Sequence, residues 1–304
     1  LAKLAISKKA HFVSSSYISP EMRNLNNAAR EARVSLVNEI GLDPGIDHLM
    51  AHKLVEELKK SELINAETAV SFLSYCGGVP KTPNEFKYKF SWSPLGVLKA
   101  LKSPSRSIRD FKNFEVNRPW DAITSYDAPL NNPEEFEVYP NRDSLPFIEQ
   151  YDFDRNWKIK HFVRGTLRLK GWADAWSEIF NEIETLSGEA GEKRLIEMSE
   201  QFWQDNAYGE NEPDRVILCV DLKAEQDNHV IWHKTYKMDA WGDERGTAMA
   251  RLVSHPVSFA VKAIIDNQIE YGVSAAASKS SLVDKWLNDI ANLAQEFNII
   301  DRIK

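Results

Sequence analysis

Glycine is scarce in this chain. Only 13 of its 304 residues are glycine, and none precedes Gly41. The G-x-G-x-x-G turn that binds dinucleotide phosphates is therefore absent from the region where a dinucleotide-binding fold normally begins. Cysteine is scarcer still, with only Cys76 and Cys219. Two cysteines so far apart do not form a disulfide scaffold and are typical of a reducing compartment, so we expect a cytoplasmic protein.

Long apolar runs and an excess of positive charge are also missing. No apolar stretch approaches the roughly 20 residues of a membrane span, and no signal-peptide core is present, so we expect no membrane partner. Lys and Arg number 38 against 45 Asp and Glu, a formal net charge of −7. We expect no nucleic-acid partner, because such proteins concentrate positive charge on one face. The one basic cluster, Lys102 to Lys112, is interpreted as a solvated loop and a short helix.

Apolar and aromatic residues are abundant, at 43% and 11% of the chain. This composition is typical of a packed globular protein, and the length predicts about two domains at roughly 150 residues each. The first part alternates strands (10–13 and 34–40) with helices that start at Ser19-Pro20 and Asp43-Pro44. Such alternation predicts a parallel sheet whose ligand crevice lies beyond the carboxyl ends of the strands.

The middle of the chain is rich in predicted strands, and helices resume after Trp241. Strands are predicted at 66–76, 87–92, 136–139 and 162–169, followed by a long hairpin, 215–222 with 230–238, and residues 187–193 read as a flexible connection. A helix over 247–267 is expected to kink or split at Pro256. The last helix is expected to start with Ser281 and Asp284 as a capping pair.

These patterns predict an α/β protein with two domains. A partial Rossmann-like domain, with its N-terminal part missing, is built from residues 1–43 and 242–304, and the C-terminal helices complete its parallel sheet. A second α+β domain, residues 44–241, has a mixed sheet and is expected to bind substrate. Its long apolar hairpin suggests that it also forms the contact of a homodimer.

Polar side chains collect at the carboxyl ends of the first two strands. Ser15, Ser16 and Tyr17 follow the first strand, and Asp43 follows the second. Asp43 has two possible roles, which are compatible. It is either an ordinary helix N-cap, worth about 1 kcal/mol, or a carboxylate in the ligand crevice that holds a substrate ammonium or moves a proton.

Two other motifs allow chemistry but indicate it weakly. His48, His52 and Glu56 share one helix face at a spacing that zinc can use, but the catalytic glutamate of H-E-x-x-H is absent, so packing or solvated histidines are favoured and no metal is predicted. Cys76 lies in SYCGG, where a strand ends in paired glycines. It is a candidate acid, base or nucleophile, or simply a small residue at a strand end.

Arginines are more informative in an acidic protein. Arg142 lies in a Pro-Asn turn after a strand, and Arg164 and Arg168 are four residues apart in a strand, so their side chains lie on one face. Arginine suits a bidentate grip on carboxylates. These side chains indicate either a local anion site or surface ion pairing.

An ordered series of segments resembles a known family. The segments are SSYISP (15–20), NEIGLDPGIDH (38–48), FLSYCGGVP (72–80), YKFSWSP (88–94), VYPNRDS (138–144), VRGTLRLKG (163–171) and TAMARLVSHPVSFAVKAIIDN (247–267). Together they resemble the saccharopine reductases, the glutamate-forming and usually NADP-dependent saccharopine dehydrogenases. LDPGxDH alone occurs in a wider superfamily, so the resemblance rests on the whole series in order.

The resemblance implies an oxidoreductase of lysine metabolism. In this family α-aminoadipate semialdehyde and glutamate form an imine, and a nicotinamide hydride reduces it to saccharopine, or the reverse. The residues that the resemblance assigns to substrate are Ser16, Tyr17, Asp43, Arg142, Thr166, Leu167 and Arg168. Those that it assigns to cofactor are Ser15, Ser16, Leu42, Asp43, Pro44 and Ser93. Tyr17, Asp43 and Cys76 are the catalytic candidates, with no single base assigned.

The missing glycine turn leaves other functions open. The turn is expected upstream of Leu1, so the chain by itself is expected to bind the cofactor poorly, and NADP, with NAD also possible, is taken from the family. One alternative is a carboxyspermidine-type enzyme that joins a different amine to an aldehyde. Another is a non-catalytic protein that kept the substrate domain and lost the cofactor site.

Overall fold

The computed structural model describes residues 1–303. The helices are α1 (Ala2–Ser7), α2 (Pro20–Arg23), α3 (Asn26–Glu31), α4 (Ile46–Lys60), α5 (Pro94–Leu101), α6 (Pro146–Gln150), α7 (Trp172–Ala175), α8 (Ser177–Thr185), α9 (Gly188–Asp205), α10 (Ala248–Ile265) and α11 (Ser280–Ala291), with a 3-10 turn at Pro119–Ala122. The strands are β1 (Phe12–Val13), β2 (Ser35–Val37), β3 (Ala69–Pro80), β4 (Ser105–Arg109), β5 (Lys112–Val116), β6 (Thr124–Ala128), β7 (Glu134–Pro140), β8 (Lys158–Leu169), β9 (Asp214–Gln226), β10 (His229–Trp241), β11 (Gly272–Ser274) and β12 (Glu296–Asp301).

The chain divides into two compact units. Unit 1 contains residues 1–53 and 250–293, and unit 2 contains residues 54–249 and the residues from 294 onward. These bounds differ from the predicted 1–43, 242–304 and 44–241. The C-terminal segment was expected to be helical and to belong wholly to the first domain, but β12 joins unit 2 because it pairs antiparallel with β10.

Unit 1 contains the predicted parallel sheet. The strand order is β1-β2-β11, and both neighbours of β2 run parallel to it, with Phe12 and Val273 opposite Leu36. The helix predicted at Ser19-Pro20 is α2, and the Ser19 hydroxyl oxygen accepts from the Met22 amide at 3.1 Å. The parallel sheet of unit 1 and the mixed sheet of unit 2 confirm the predicted α/β class.

Unit 2 is organised by a mixed nine-stranded sheet. Its order is β12-β10-β9-β3-β8-β4-β5, and β7 also pairs with β8 and with β6. β3 is parallel to β8 but antiparallel to β9, and β9 with β10 forms the predicted hairpin. Side chains alternate between the two faces of each strand. We call the side that carries Cys76, Thr166 and Arg168 the Arg168 face, and the side that carries Tyr75 and Val163 the Tyr75 face.

The basic cluster at 102–112 is not a loop with a short helix. It contains β4 and the turn into β5, and Asp110 and Phe111 at that turn have positive φ angles of 49° and 64°. Ser105 and Ser107 are buried whereas Arg106 is exposed, which is the two-residue period of a strand. The hydroxyls hid this period, because a buried serine does not look apolar in the sequence.

Two further secondary-structure predictions are also wrong. No strand covers 87–92, where Phe90 makes only an isolated bridge to Ala207. Residues 187–193 are not a flexible connection, since α9 begins at Gly188 and buries Leu195 and Met198. A serine and two glycines at its start concealed the amphipathic pattern.

The C-terminal helices differ from expectation at two points. α10 continues through Pro256, so it is not split there. α11 starts at Ser280 after Lys279 without a side-chain cap, and Asp284 instead accepts from Lys53 Nζ at 2.6 Å, so the predicted capping pair is wrong. The predicted apolar stripe of this helix is present, with Leu282, Trp286 and Ile290 buried.

One helix bears on the expectation of no membrane span. α10 has 18 residues and a mean hydropathy of 1.2, so by length and composition alone it is long and apolar enough to cross a membrane. The expectation of no membrane partner therefore stays untested. The same length and hydropathy occur in core helices of soluble proteins, and 39% of α10 is buried.

Asp214 provides a test of how α10 is anchored. Its buried carboxylate accepts from the backbone amides of Ala248 at 2.7 Å and Met249 at 2.8 Å, at the first turn of the helix. We expect Asp214→Ala to lower the free energy of unfolding by about 2–3 kcal/mol, because it removes two charge-assisted bonds and leaves buried donors unpaired. Urea denaturation measures this. Asp266→Ala, which removes only a surface ion pair to Lys262, is the control and is expected to change it by less than about 0.5 kcal/mol.

Candidate functional site

The loops after β1 and β2 lie at the same edge of the unit 1 sheet, because the strands are parallel. The two loops are joined by hydrogen bonds. The Ser14 amide donates to the Val37 carbonyl at 2.9 Å, and the Glu39 amide donates to the Ser16 carbonyl at 3.0 Å. Glu39 Oε1 also accepts from the Ile18 amide at 2.9 Å. The serine run and the LDPG segment are thereby held against each other.

Tyr17 and Asp43, two of the catalytic candidates, meet at this edge. The Tyr17 hydroxyl donates to Asp43 Oδ1 at 3.1 Å. α4 begins only at Ile46, so Asp43 lies three residues before the helix, and its interpretation as the N-cap is wrong. The carboxylate that binds the backbone at this helix start is Asp47, which accepts from the Gly45 amide at 2.7 Å.

Two glycines give the LDPG segment its shape. Gly41 lies so close to Ser15 that a Cβ on it would be 3.0 Å from the Ser15 Cβ. Gly45 has a φ of 149°, and a Cβ there would fall 2.1 Å from the Gly41 carbonyl oxygen. The Gly41 amide donates to the Pro44 carbonyl at 2.9 Å, closing a turn that buries Leu42. Ser15, Leu42, Asp43 and Pro44, all assigned to cofactor by resemblance, thus belong to one compact structure.

A buried polar cluster supports this structure, and the sequence reading missed it. His48 Nε2 lies 3.2 Å from Glu39 Oε2, and His48 Nδ1 lies 3.3 Å from Asp47 Oδ2, with all three side chains almost fully buried. His48, singled out for its spacing to His52 and Glu56, therefore lies between carboxylates. Within residues 1–303 no group of three or more side chains is arranged to hold a metal ion. The signal was present in NEIGLDPGIDH, where Glu39 and His48 are nine residues apart.

Two polar side chains at the carboxyl edge of this sheet have unused hydrogen-bonding atoms. Asn38 and Ser274 follow or end adjacent strands, and the Asn38 amide donates to the Ser274 carbonyl at 2.8 Å. Asn38 Oδ1 and Ser274 Oγ are buried and have no hydrogen-bond partner among the described residues. An unused acceptor and an unused hydroxyl at a sheet's ligand edge suit a carboxamide, which both donates and accepts.

Arg168 is the most unusual side chain of unit 2. It is 5% exposed, yet it forms no ion pair with a carboxylate anywhere in residues 1–303. Nη1 donates to the Leu167 carbonyl at 3.2 Å, and Nε has no partner among the described residues. Its guanidinium carbon lies 4.7 Å from the Tyr88 ring centroid, 5.3 Å from that of Trp172 and 5.7 Å from that of Tyr139.

This aromatic box holds a charge without neutralising it. Cation–π contacts contribute about 0.5–2 kcal/mol each, less than desolvation of a buried guanidinium costs. Burial raises the pKa of Tyr139, and the Arg168 charge opposes that rise. An anion that enters this site supplies the missing countercharge. The box residues were not predicted as functional, although Tyr88 lies in the YKF segment and Trp172 directly follows VRGTLRLKG.

Thr166 and Cys76, two other predicted site residues, lie on the Arg168 face. Thr166 lies opposite Cys76 in the parallel register of β3 and β8, and opposite Tyr139 on β7. Cys76 is 9% exposed. Arg142 is exposed in the turn after β7, where its φ is 54° and its carbonyl accepts from the Arg106 amide at 2.9 Å. The predicted turn after a strand is therefore present.

Three candidates have positions that limit what they can do. The Leu167 side chain belongs to an apolar cluster on the Tyr75 face, so only its backbone is available on the Arg168 face. Arg164 shares the Arg168 face, as predicted, with its guanidinium carbon 4.0 Å from the Phe147 ring centroid. Ser93 is the N-cap of α5 and accepts from the Gly96 amide at 3.2 Å.

Because the Arg168 charge has no carboxylate partner, we expect it to lower the stability of the ligand-free protein while favouring the binding of an anion. We expect Arg168→Met to raise the free energy of unfolding by about 1–3 kcal/mol, because an apolar side chain of similar length replaces a desolvated cation. Urea denaturation of the ligand-free protein measures this free energy of unfolding. Arg118→Met, which breaks surface ion pairs to Asp121 and Glu184, is the control and is expected to be neutral or slightly destabilising. A marked loss of stability in Arg168→Met contradicts this interpretation of the box.

Comparison with known proteins shows which family the chain resembles in sequence. A family model described as the saccharopine dehydrogenase C-terminal domain matches residues 41–292. The chain is 40% identical over 228 residues to "Saccharopine dehydrogenase [NADP(+), L-glutamate-forming]" of Pyricularia oryzae, covering 74% of this chain and 47% of that protein. It is 27% identical over 341 residues to "Alpha-aminoadipic semialdehyde synthase, mitochondrial" of Rattus norvegicus, covering 89% of this chain and 36% of that protein.

A solved structure extends the likeness over nearly the whole chain. The apo histidine-tagged saccharopine dehydrogenase (L-Glu forming) from Saccharomyces cerevisiae matches with a TM-score of 0.77 and 26% identity, covering 99% of this chain and 82% of that one. The chain spans about half the length, or less, of the curated relatives it matches. The family model covers most of residues 1–304, and the chain belongs to the saccharopine dehydrogenase C-terminal domain family.

Proposed function

We propose that the protein carrying this chain is an NADP-dependent, glutamate-forming saccharopine dehydrogenase of lysine metabolism, and that unit 2 supplies its substrate site. The observation that carries the proposal is Arg168, a buried guanidinium without a carboxylate partner in residues 1–303. Such a group is costly in the free protein and is satisfied by an anionic ligand. Saccharopine, with three carboxylates and two amines, is a ligand of that kind.

The substrate is held mainly through its carboxylates. Arg168 forms a charge-assisted contact with one of them in the aromatic box, where low dielectric strengthens the interaction. Thr166, beside Cys76 in the register of β3 and β8, adds a hydroxyl on the same face. Arg142 is exposed and reaches a further carboxylate only as a solvated ion pair, so its contribution is expected to be smaller than that of Arg168.

Proton movement is assigned to the pair at the edge of the unit 1 sheet. Asp43 holds the hydroxyl of Tyr17 in one orientation through the 3.1 Å hydrogen bond, and its charge suits a substrate ammonium or iminium. Cys76 is 9% exposed and remains a second candidate for transfer of a proton. Orientation and electrostatics are the chain's main contribution, because the difficult chemistry belongs to the cofactor.

A nicotinamide cofactor fits the same edge. When bound, it accepts or donates the hydride at the carbon that joins the amine to the semialdehyde. The unpartnered Asn38 Oδ1 and Ser274 Oγ are proposed to hold its carboxamide, beside Ser15 and Ser16. The choice of NADP is supported by the name of the fungal relative, and NAD is the alternative outcome of the assay.

Arginine variants of the protein that carries this chain test the proposal. We expect Arg168→Ala to raise the Michaelis constant for saccharopine by about tenfold to a hundredfold, since one charge-assisted contact is lost. Arg142→Ala is expected to raise it by less. Nicotinamide absorbance follows the reaction, and the Michaelis constant for the cofactor is expected to stay within about twofold in both variants.

Two further variants complete the design. Arg155→Ala, whose side chain is 92% exposed, is the matched control and is expected to leave both constants unchanged. Unchanged saccharopine kinetics in Arg168→Ala would refute the substrate assignment. Tyr17→Phe separates roles, because loss of an orienting or proton-moving hydroxyl is expected to lower kcat with little effect on substrate affinity.

The alternatives are less well supported. A carboxyspermidine-type substrate has fewer carboxylates than saccharopine, so it gives fewer charge-assisted contacts to Arg142 and Arg168 together. If the protein is non-catalytic, saccharopine is expected to bind without hydride transfer. Calorimetry then detects the binding, and the absorbance assay shows no reaction.

Assembly and location are part of the proposal. The apolar residues of the β9 and β10 hairpin are largely buried within unit 2, so the hairpin itself offers little apolar contact surface. The homodimer we propose is instead supported by β12, an edge strand with Ile299 41% exposed. Two buried cysteines that form no disulfide with each other support a reducing cytosol, although the rat relative is named as mitochondrial.

Solution mass tests the dimer. Light scattering at micromolar concentration is expected to give about twice the chain mass, and Ile299→Lys to reduce it, because a charge on an edge strand opposes pairing. A single-chain mass for the unmodified protein contradicts the dimer, and fractionation of cells tests the location.

A further inference from the structure

A cavity of about 370 Å³ opens on the Tyr75 face of the unit 2 sheet. This volume is within the range of sites that bind small metabolites. Tyr75, Val163 and Thr235 are among its lining residues. Tyr75 and Val163 alternate with Cys76 and Arg164 along their strands, so the cavity lies on the opposite side of the sheet from Arg168. It is therefore separate from the proposed substrate site.

Ser71 presents an unused hydroxyl to this cavity. The residue is 8% exposed, and its Oγ is buried with no hydrogen-bond partner among the described residues. Leaving a buried hydroxyl unpaired costs free energy, because the group has lost its hydrogen bonds to water and gained none in the protein. A polar ligand atom in the cavity satisfies it.

Two arginines at the cavity also have no acidic partner. Arg109 and Arg302 both line it, and neither forms an ion pair within residues 1–303. Arg109 is held by stacking, with its guanidinium carbon 3.8 Å from the Phe114 ring centroid. Arg302 is anchored through its backbone, which donates to the His233 carbonyl at 2.9 Å. Both guanidinium groups are available to carboxylates.

The remaining charges of the cavity are mostly engaged. Asp221 Oδ2 contacts His233 Nε2 at 2.7 Å and accepts from the Thr235 hydroxyl at 2.5 Å. Lys223 Nζ lies 3.1 Å from Glu225. Asp127 lines the cavity and forms no ion pair within residues 1–303.

His161 does not add a third cation at neutral pH. It lies 3.6 Å from Asp110, but burial lowers the pKa of its ring. The charges left to a ligand are therefore two guanidinium groups and one carboxylate.

We propose that this cavity binds an amino-dicarboxylate of the glutamate type. Two carboxylates of such a ligand match Arg109 and Arg302, its ammonium matches Asp127, and the Ser71 hydroxyl accepts or donates one further hydrogen bond. The inference goes beyond the proposed function, because it concerns the other face of the sheet and does not require Arg168.

Titration calorimetry with L-glutamate tests the site in the Arg168→Met background, where the proposed substrate site is disabled. We expect one binding event. Arg109→Ala or Arg302→Ala is expected to raise its dissociation constant by about tenfold or more, as loss of a charge-assisted contact does. Arg155→Ala is the matched control and is expected to leave the constant unchanged.

Succinate tests the role assigned to Asp127. It carries two carboxylates and no ammonium, so Asp127→Asn is expected to strengthen succinate binding and to weaken L-glutamate binding. The same sign for both ligands overturns the assignment of Asp127 to an ammonium group.

Ser71→Ala separates binding from folding. Removing an unpaired buried hydroxyl is expected to leave the melting temperature of the free protein unchanged or higher, while L-glutamate binds more weakly. Absence of binding in the Arg168→Met background, or binding insensitive to Arg109 and Arg302, overturns the proposal. A change of particle mass in those arginine variants without a change in affinity also overturns it, since the face is then a contact between copies of the chain.

The two proposed sites fail in distinguishable ways. If Arg168 is not a substrate residue, saccharopine kinetics are insensitive to it while L-glutamate binding still depends on Arg109. If the second site is absent, saccharopine kinetics still depend on Arg168 and the calorimetric signal is missing.

Discussion

The functional interpretation of unit 2 depends on one uncompensated charge. Arg168 is buried among the rings of Tyr88, Tyr139 and Trp172, and none of the described carboxylates neutralises it. Aromatic faces stabilise the guanidinium only partly, and the proposed anionic substrate supplies the remaining countercharge. The mixed sheet makes this possible, because β8 is paired on both sides and fixes the position of the side chain.

In unit 1, hydrogen bonds hold the loops after β1 and β2 together at one edge of the sheet. Glu39 contacts the loop after β1 through its side chain and its backbone, and His48 contacts Glu39 from α4. Buried polar groups of this kind are stable only when their hydrogen-bonding capacity is satisfied. The Glu39 and His48 network therefore holds the loops that carry Tyr17 and Asp43, and we assign it no part in proton transfer.

Local patterns were sufficient where one residue type has one physical role. Ser19-Pro20 predicted a helix start, and the four-residue spacing of Arg164 and Arg168 predicted a shared face, because strand alternation is independent of the fold. Local patterns were insufficient where the buried residues of a strand or helix are not apolar. Ser105 and Ser107 are polar residues buried in the sheet, and Gly188 begins a helix, so none of the three has the apolar side chain that marks a buried element in the sequence.

The sequence by itself determined the α/β class, the parallel sheet, the long hairpin and, through the ordered segments, the family, since these depend on local periodicity and on residue order. Tertiary structure decided which polar groups meet and which remain without partners. That Asp43 binds Tyr17 and is not a helix cap, that Arg168 has rings instead of carboxylates around it, and that Ser71 faces a cavity all depend on contacts between segments far apart in sequence. No local pattern encodes such contacts, because they arise only when separate strands and loops pack together.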